Sequence, residues 1–368
     1  MIVHSIELEN FRNYASFAAP FCTGINVITG DNAQGKTNLL EAIAYLSACR
    51  SHRARGDSEL IRFEAQRAMV KGSLISRNRE FLLEVRMGRG IRRQMKSNGV
   101  RLKTTAELSG ILKTVLFCPE DLNLIRAGAA ERRRFLDDAI CQLRPRYGVA
   151  LAEYKRLLEQ KRRILKDWPE KPSLLELLDD FSLRMCQTGA LVIHYRAHFV
   201  KKLNECAPPI HADFSSGRER LALGYQTVKT VSDPLAPTKV IFEQLCQHMA
   251  QHRQAEIEAK SCLSGPHKDD LTVEINGMSV KTYGSQGQTR TAALSLELAQ
   301  REIFFDNDGE YPVLLLDDVL SELDSRRQEF VLNRIQGGQV FITCCESERL
   351  TSLEAGKVLR IANGALVE

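Results

Sequence analysis

Ile25 to Leu46, read as INVITGDNAQGKTNLLEAIAYL, constrains the fold of this chain more than any other stretch. A short β-branched run (Ile25, Val27, Ile28) predicts a strand, and Leu39, Leu40, Ile43 and Leu46 recur at helical spacing. Between them Gly30-Asp31-Asn32-Ala33-Gln34-Gly35-Lys36-Thr37 matches G-x-x-x-x-G-K-[ST], and Asn38 follows it. The order strand, loop, helix gives the match its meaning. Glycines let successive backbone N–H groups turn inward around a phosphate, and the helix N-terminus adds partial positive charge. Lys36 reaches the β- and γ-phosphates and Thr37 ligates Mg²⁺, so the stretch is read as a cradle for a nucleoside triphosphate, with ATP and Mg²⁺ as cofactors.

A second signal lies far downstream. Val313-Leu314-Leu315-Leu316-Asp317-Asp318 is an apolar run ending in two acids, the pattern of a buried parallel strand that delivers carboxylates to its C-terminal edge. Asp317 is expected to hold the metal with Thr37, and Asp318 to orient or deprotonate the attacking water. Ser285-Gln286-Gly287-Gln288 opens another helical pattern, and small residues at a helix N-terminus make a second candidate anion site.

Composition excludes several classes. At 368 residues, with 43% hydrophobic and 26% charged, the chain is ordinary globular material. The ten cysteines form no C-x-x-C pair and no spacing suited to zinc, which is read as buried thiols in a reducing compartment. Neither a signal peptide nor an apolar run of membrane-spanning length is present, so a cytoplasmic protein is expected. The net charge of +5 permits a nucleic-acid partner, and its distribution matters more than its total.

Basic residues cluster in several places. Arg86, Arg89, Arg92, Arg93, Lys96, Arg101 and Lys103 share a strand-like stretch with no acid between Arg86 and Lys103. Such a run repels itself unless an anion compensates, which makes Arg89, Arg92, Arg93 and Lys96 candidates for phosphate contacts on DNA, with a solvated sheet face as the alternative. Arg132 and Arg133 are candidates of the same kind. Arg53, just past the P-loop helix, meets phosphate, of nucleotide or DNA, or lies in a solvated basic loop, and Arg12, in the turn with Asn13, stacks on a base or touches phosphate or is part of an exposed turn. From residue 126 to 261 helical patterns dominate, with Pro169 and Pro172 interrupting them, so no long coiled coil fits.

Taken together, these motifs resemble the ABC-type ATPase heads of the SMC and Rad50 group, over nearly the whole length. Asn32 to Ile43 is similar to the group's Walker A, Ser285 to Gln288 to its signature, Leu315 to Asp318 to its Walker B, and Ser321-Glu322-Leu323-Asp324 to its D-loop. The compact helical tract, Asp318 in place of glutamate, Ser51-His52-Arg53 and Gly265 to Asp270 resemble its bacterial recombination branch. The resemblance implies an α/β fold, with a P-loop core of mixed sheet and an antiparallel β meander, carrying an inserted, mainly helical second lobe. The expected divisions are residues 1–125 (Walker A), 126–261 (helical lobe) and 262–368 (signature, Walker B and D-loop).

The resemblance further implies an ATP-dependent homodimer in which Ser285 and the backbone near Gly287 and Gln288 face the γ-phosphate of ATP held by the other subunit. Lys36, Ser285 and Asp318 would carry catalysis. Hydrolysis is expected to be weak, because the loop at Pro119-Glu120-Asp121 lacks the group's usual glutamine, no switch histidine follows Thr343, and Asp318 is one methylene shorter than glutamate. The implied role is recombinational repair, through binding duplex DNA near single-strand gaps and helping RecA loading with RecR and RecO. The competing class is an ABC-type subunit that energises a membrane or protein partner.

Overall fold

Continuous apolar runs and alternating ones have sorted into different sheets. The computed structural model describes residues 1–335, 337–345 and 356–367, and of Leu122, Asn123 and Glu322 the backbone only. One compact unit comprises Met1–Leu122 with Glu297–Glu368, the other Asn123–Leu296.

The first unit begins with β1 (Ile2–Phe11), β2 (Tyr14–Pro20), β3 (Ile25–Thr29), α1 (Lys36–Ala48), β4 (Arg67–Ser76), β5 (Arg79–Gly88), β6 (Ile91–Ser97), β7 (Val100–Leu102), α2 (Thr105–Ser109) and β8 (Thr114–Phe117). The second contains α3 (Ala129–Leu143), α4 (Pro145–Asp167), α5 (Leu178–Ser215), β9 (Leu221–Gln226), α6 (Thr238–Ala259), β10 (Asp270–Ile275), β11 (Met278–Ser279) and α7 (Val280–Tyr283). Helix α8 (Gln286–Asp308) continues into the residues of the first unit, which closes with β12 (Val313–Asp317), α9 (Ser325–Arg334), β13 (Val340–Cys344), β14 (Gly356–Ala362) and β15 (Ala365–Val367).

The P-loop sheet runs β15-β14-β3-β13-β12-β8, parallel throughout except for β15. Its central strands are covered on both faces, which is why Val313 to Leu316 and Val340 to Ile342 read as unbroken apolar runs. The meander, β2-β1-β4-β5-β6-β7, is antiparallel and alternates. Ile6, Leu8, Val70, Val85 and Met95 turn inward and join Leu39 and Ile43 of α1 and Leu315 and Phe341 of the P-loop sheet in one core. Each such side chain contributes about 1.5–3 kcal/mol by burial.

The second unit differs from expectation in extent. Strand signals resume after Ser264, which suggested a return to the ATPase core at residue 262. Instead β10 pairs with β9 from Leu271↔Tyr225 to Ile275↔Leu221 in a separate sheet, β11-β10-β9. The signature segment therefore belongs to the helical unit, and the boundaries fall at 122/123 and 296/297 instead of 125/126 and 261/262. Helix α4 buries Leu151, Tyr154, Leu158 and Leu165 as its periodicity predicts. Lys161 of the same helix is 1% exposed and paired with Glu256 at 2.6 Å.

Candidate nucleotide site and signature helix

The turn after β3 has a shape that only particular residues allow. Gly30 has φ +148°, and a Cβ there would lie 2.2 Å from the Ile361 carbonyl oxygen. Gly35 has φ +118° and is backed by the Asn13 amide, 2.7 Å from where a Cβ would sit. Both are therefore restricted to glycine. Ala33, at φ 63°, also takes the left-handed conformation. This path turns the loop around the Lys36 ammonium, which donates to the carbonyls of Gly30 (2.5 Å) and Asp31 (2.9 Å). Asp31, Asn32 and Ala33 form the exposed rim.

The residues around this loop brace it. Asn13 Nδ2 donates to the Gln34 carbonyl (2.9 Å), Asn13 Oδ1 accepts from Asn38 Nδ2 (2.8 Å), and Tyr14 OH donates to the Gly35 carbonyl (2.9 Å). Arg12 occupies a different place from the phosphate or base contact its sequence position suggested. Its guanidinium forks onto the buried Glu41 of α1 at 2.7 and 2.8 Å and donates to the Glu59 carbonyl at 3.0 Å. Burial pushes the Glu41 carboxyl up, but hydrogen bonds from Arg12 and Ser51 outweigh it and hold it below the ordinary glutamate value. Arg53 is exposed beside the P-loop helix, with Nη1 donating to Asn38 Oδ1 at 3.1 Å.

At the edge of the P-loop sheet the acids meet this loop. Asp317 Oδ1 accepts from Thr37 Oγ1 (2.9 Å) and from Thr343 Oγ1 (2.8 Å). Thr343 Oγ1 in turn accepts from the backbone N–H of Asp318 (2.8 Å). Asp318 is held at φ 53°, a left-handed conformation that costs a non-glycine residue about 1–2 kcal/mol. Ser321 Oγ, donating to the Asp318 carbonyl at 2.7 Å, helps to pin that turn. Among the described residues no three His, Cys, Asp or Glu side chains converge as a metal cage. The Thr37 hydroxyl and the Asp317 carboxylate are two hard oxygen donors, which fits an ion such as Mg²⁺ that takes its other ligands from water and phosphate.

Thr343 was not singled out in the sequence. Its signal is a hydroxyl residue at the end of the apolar run Val340 to Ile342, in register with Asp317 across β12 and β13. Asp324, within the D-loop segment, is the N-cap of α9, accepting from the Arg327 N–H at 2.9 Å. The Glu322 side chain of that segment lies outside the described residues.

The signature forms a capping box at the start of α8. Ser285 Oγ accepts from the Gln288 N–H (3.2 Å), and Gln288 Oε1 accepts from the Ser285 N–H (2.9 Å). Gln288 Nε2 donates to Glu219 Oε1 at 2.9 Å, and Glu219 Oε2 faces the fully buried His211 Nε2 at 3.0 Å. Ser285 is exposed and Gly287 half-buried. The helix thus presents backbone N–H groups and a hydroxyl to its surroundings.

Several basic candidates prove to be structural. Arg93 lies on the inner face of β6, where Nη1 donates to the Cys49 carbonyl and Nη2 reaches Asp57 at 2.9 Å. Glu84 of β5 is flanked by Arg86 of its own strand at 2.9 Å and by Lys96 of the neighbouring β6 at 3.8 Å. The acids that compensate this run come from β5 and from residue 57, not from inside the run. Arg132 is 2% exposed, forked on Asp270 at 2.7 and 2.8 Å and bonded to the Ile125 carbonyl. Arg133 Nη1 donates to the Asp269 carbonyl at 2.7 Å. Arg132, Arg133 and Arg93 are therefore ties within the fold. Arg89 and Arg92 remain exposed, Arg89 donating through Nε to the Ala65 carbonyl at 3.1 Å.

Known proteins place this geometry. A family model described as RecF/RecN/SMC N terminal domain matches residues 2–364. The DNA replication and repair protein RecF of Bacillus subtilis (strain 168) is 40% identical, covering 100% of both chains. That of Agathobacter rectalis is 39% identical, over 99% of this chain and 98% of the relative. A solved structure of the recombination mediator protein RecF with ATP, described within the RecFOR pathway, is 35% identical with a TM-score of 0.91, over 100% of this chain and 97% of that one. An Smc head domain from Pyrococcus furiosus shares the fold at a TM-score of 0.56 and 18% identity. These matches replace the alternative of a membrane-energising ABC subunit, and among the described residues no helix is long and apolar enough to cross a membrane. The chain belongs to the RecF family of DNA replication and repair proteins, within the SMC-type ATPase heads.

Proposed function

We propose that this chain is an ATP-gated DNA clamp of recombinational repair, acting in the cytoplasm. One observation carries the reading: Asp317 Oδ1 is shared by Thr37 and Thr343, which sets a carboxylate, a hydroxyl and the Lys36 ammonium around one P-loop. ATP would be held by the backbone of residues 30–38 and by Lys36, with Mg²⁺ on Thr37 and Asp317. Bound ATP then supplies the γ-phosphate that a second subunit's Ser285 and α8 N-terminus recognise, and two chains close as a homodimer. Asp318 would align the attacking water. Its short side chain and strained backbone favour slow hydrolysis, so turnover opens the clamp and does not drive movement.

Duplex DNA near a single-strand gap is the proposed ligand of the closed dimer, with RecR and RecO as partners in loading RecA. Arg89 and Arg92 are the first candidates for phosphate contact, because they are exposed on one tip of the meander. Arg53 is assigned to the nucleotide side, through its bond to Asn38. The test is binding of a gapped duplex with ATP and with ADP at two salt concentrations. Tight, salt-sensitive binding with ATP alone is expected, and binding indifferent to the nucleotide would overturn the proposal.

A further inference from the structure

The signature helix is held by a chain of hydrogen bonds with a single allowed polarity. Gln288 is the centre of this chain. Its Nε2 lies 2.9 Å from Glu219 Oε1, and its Oε1 lies 2.9 Å from the Ser285 N–H. A carboxylate only accepts, so Glu219 requires the amide nitrogen on its own side and leaves the amide oxygen facing Ser285. Without that requirement the amide is free to flip. A flipped Gln288 would set an NH₂ against the Ser285 N–H, donor against donor, and the capping box would be lost.

Glu219 is itself fixed. Its Oε2 faces His211 Nε2 at 3.0 Å, and its backbone N–H donates to Ser215 Oγ at 3.3 Å. His211 is 0% exposed near the end of α5, and its Nδ1 lies 3.4 Å from Ser295 Oγ, two turns further along α8 than Gln288. His211 and Glu219 therefore tie a buried point of α8 to its exposed N-terminus.

We infer that Glu219 is a positioning residue for the signature: oriented by His211, it fixes the Gln288 amide so that Ser285 and the first N–H groups of α8 are presented to a γ-phosphate. This rests on the reading in which Ser285 meets ATP held by another subunit. Glu219 would act there through Gln288. Its effect should appear in closure of the dimer and not in ATP binding by a single subunit.

The test compares Glu219→Ala, Gln288→Ala, the double variant and Ser285→Arg, with ATP-dependent dimer mass and ATP affinity at dilute, monomeric concentration as readouts. Far-UV circular dichroism and thermal midpoint verify folding. Glu219→Ala is expected to weaken ATP-driven dimerisation about tenfold while its monomer affinity for ATP stays within twofold. Adding Glu219→Ala to Gln288→Ala should cost nothing more, since both remove the same orientation. Glu219→Gln, whose amide oxygen still accepts, should recover most of the loss. Wild-type dimerisation by folded Glu219→Ala, or losses that multiply in the double variant, would overturn the inference. Should Ser285→Arg fail to dimerise while Glu219→Ala dimerises normally, the relay alone falls. Should Ser285→Arg dimerise normally, the underlying reading of the signature falls with it.

Discussion

The P-loop edge and the signature end are both proposed to offer backbone N–H groups to a phosphate, yet they are built differently. At the P-loop edge the polar groups are tied to one another: Lys36 to loop carbonyls, Thr37 and Thr343 to Asp317, and Asn13 to Gln34 and Asn38. At the signature end the bracing runs inward, through Gln288 to Glu219 and His211, and Ser285 is left exposed. One site is organised within its own chain, and the other is organised to face something outside it. Under the proposed function, the contrast separates residues that would act on ATP in the same chain from those that would act only across a dimer.

Breaking an inward tie should produce the largest loss, and a loss of stability. Arg132→Ala leaves Asp270 without its fork and should lower unfolding free energy by about 3 kcal/mol, read by urea denaturation. The dependence of DNA affinity on salt should be unchanged in whatever protein remains folded. Lys36→Ala acts on the P-loop edge alone. It should weaken ATP binding about 100-fold in the monomer, measured by calorimetry, whereas Ser285→Arg should leave monomer affinity near wild type.

Thr343→Val removes the hydroxyl that aligns Asp317 and accepts from Asp318. A loss of about 1 kcal/mol in stability is expected, with a higher Mg²⁺ concentration needed for half-maximal hydrolysis. The smallest effect should be that of Arg92→Ala. It should reduce the slope of log affinity against log salt by about 0.9, with no change in ATP binding. An equal slope change in a folded Arg132 variant would erase the distinction between ties and surface contacts.

How much of this was legible in the sequence depends on how far each residue sits from its partners. The P-loop and the Asp317-Asp318 strand end could be read because the determinants are local: glycines at a turn, a helical period, and an apolar run ended by acids. The charge of the meander could be read only in part: Arg86 meets Glu84 two positions away on its own strand, whereas Lys96 meets Glu84 across the β5–β6 pair and Arg93 meets Asp57, 36 positions away. Arg132 looked like a surface cluster because Asp270 lies 138 residues downstream. The boundary expected at 261/262 falls early for a related reason: strand propensity at Leu271 to Ile275 does not say which sheet the strand joins, and β10 pairs with β9 of the second unit.

Arg12 is a different case. Its sequence context, beside Asn13 and ahead of the P-loop, pointed to phosphate, and only the fold reveals Glu41 one turn into α1 as a buried carboxylate needing a cation. Asn13, from the same turn, does serve the loop, by holding its backbone and not by facing outward.

In the proposed clamp each working site joins the P-loop of one chain to the signature of another. Mixing Lys36→Ala with Ser285→Arg tests it directly, because only a mixed dimer contains one intact P-loop facing one intact Ser285. Each variant alone should show neither ATP-dependent dimer mass nor hydrolysis above background, and the mixture should regain both, hydrolysis rising toward half of the wild-type rate at equal concentrations, since every dimer that forms is mixed and holds one intact site of two. A mixture no more active than its two components, with both variants folded, would contradict the account.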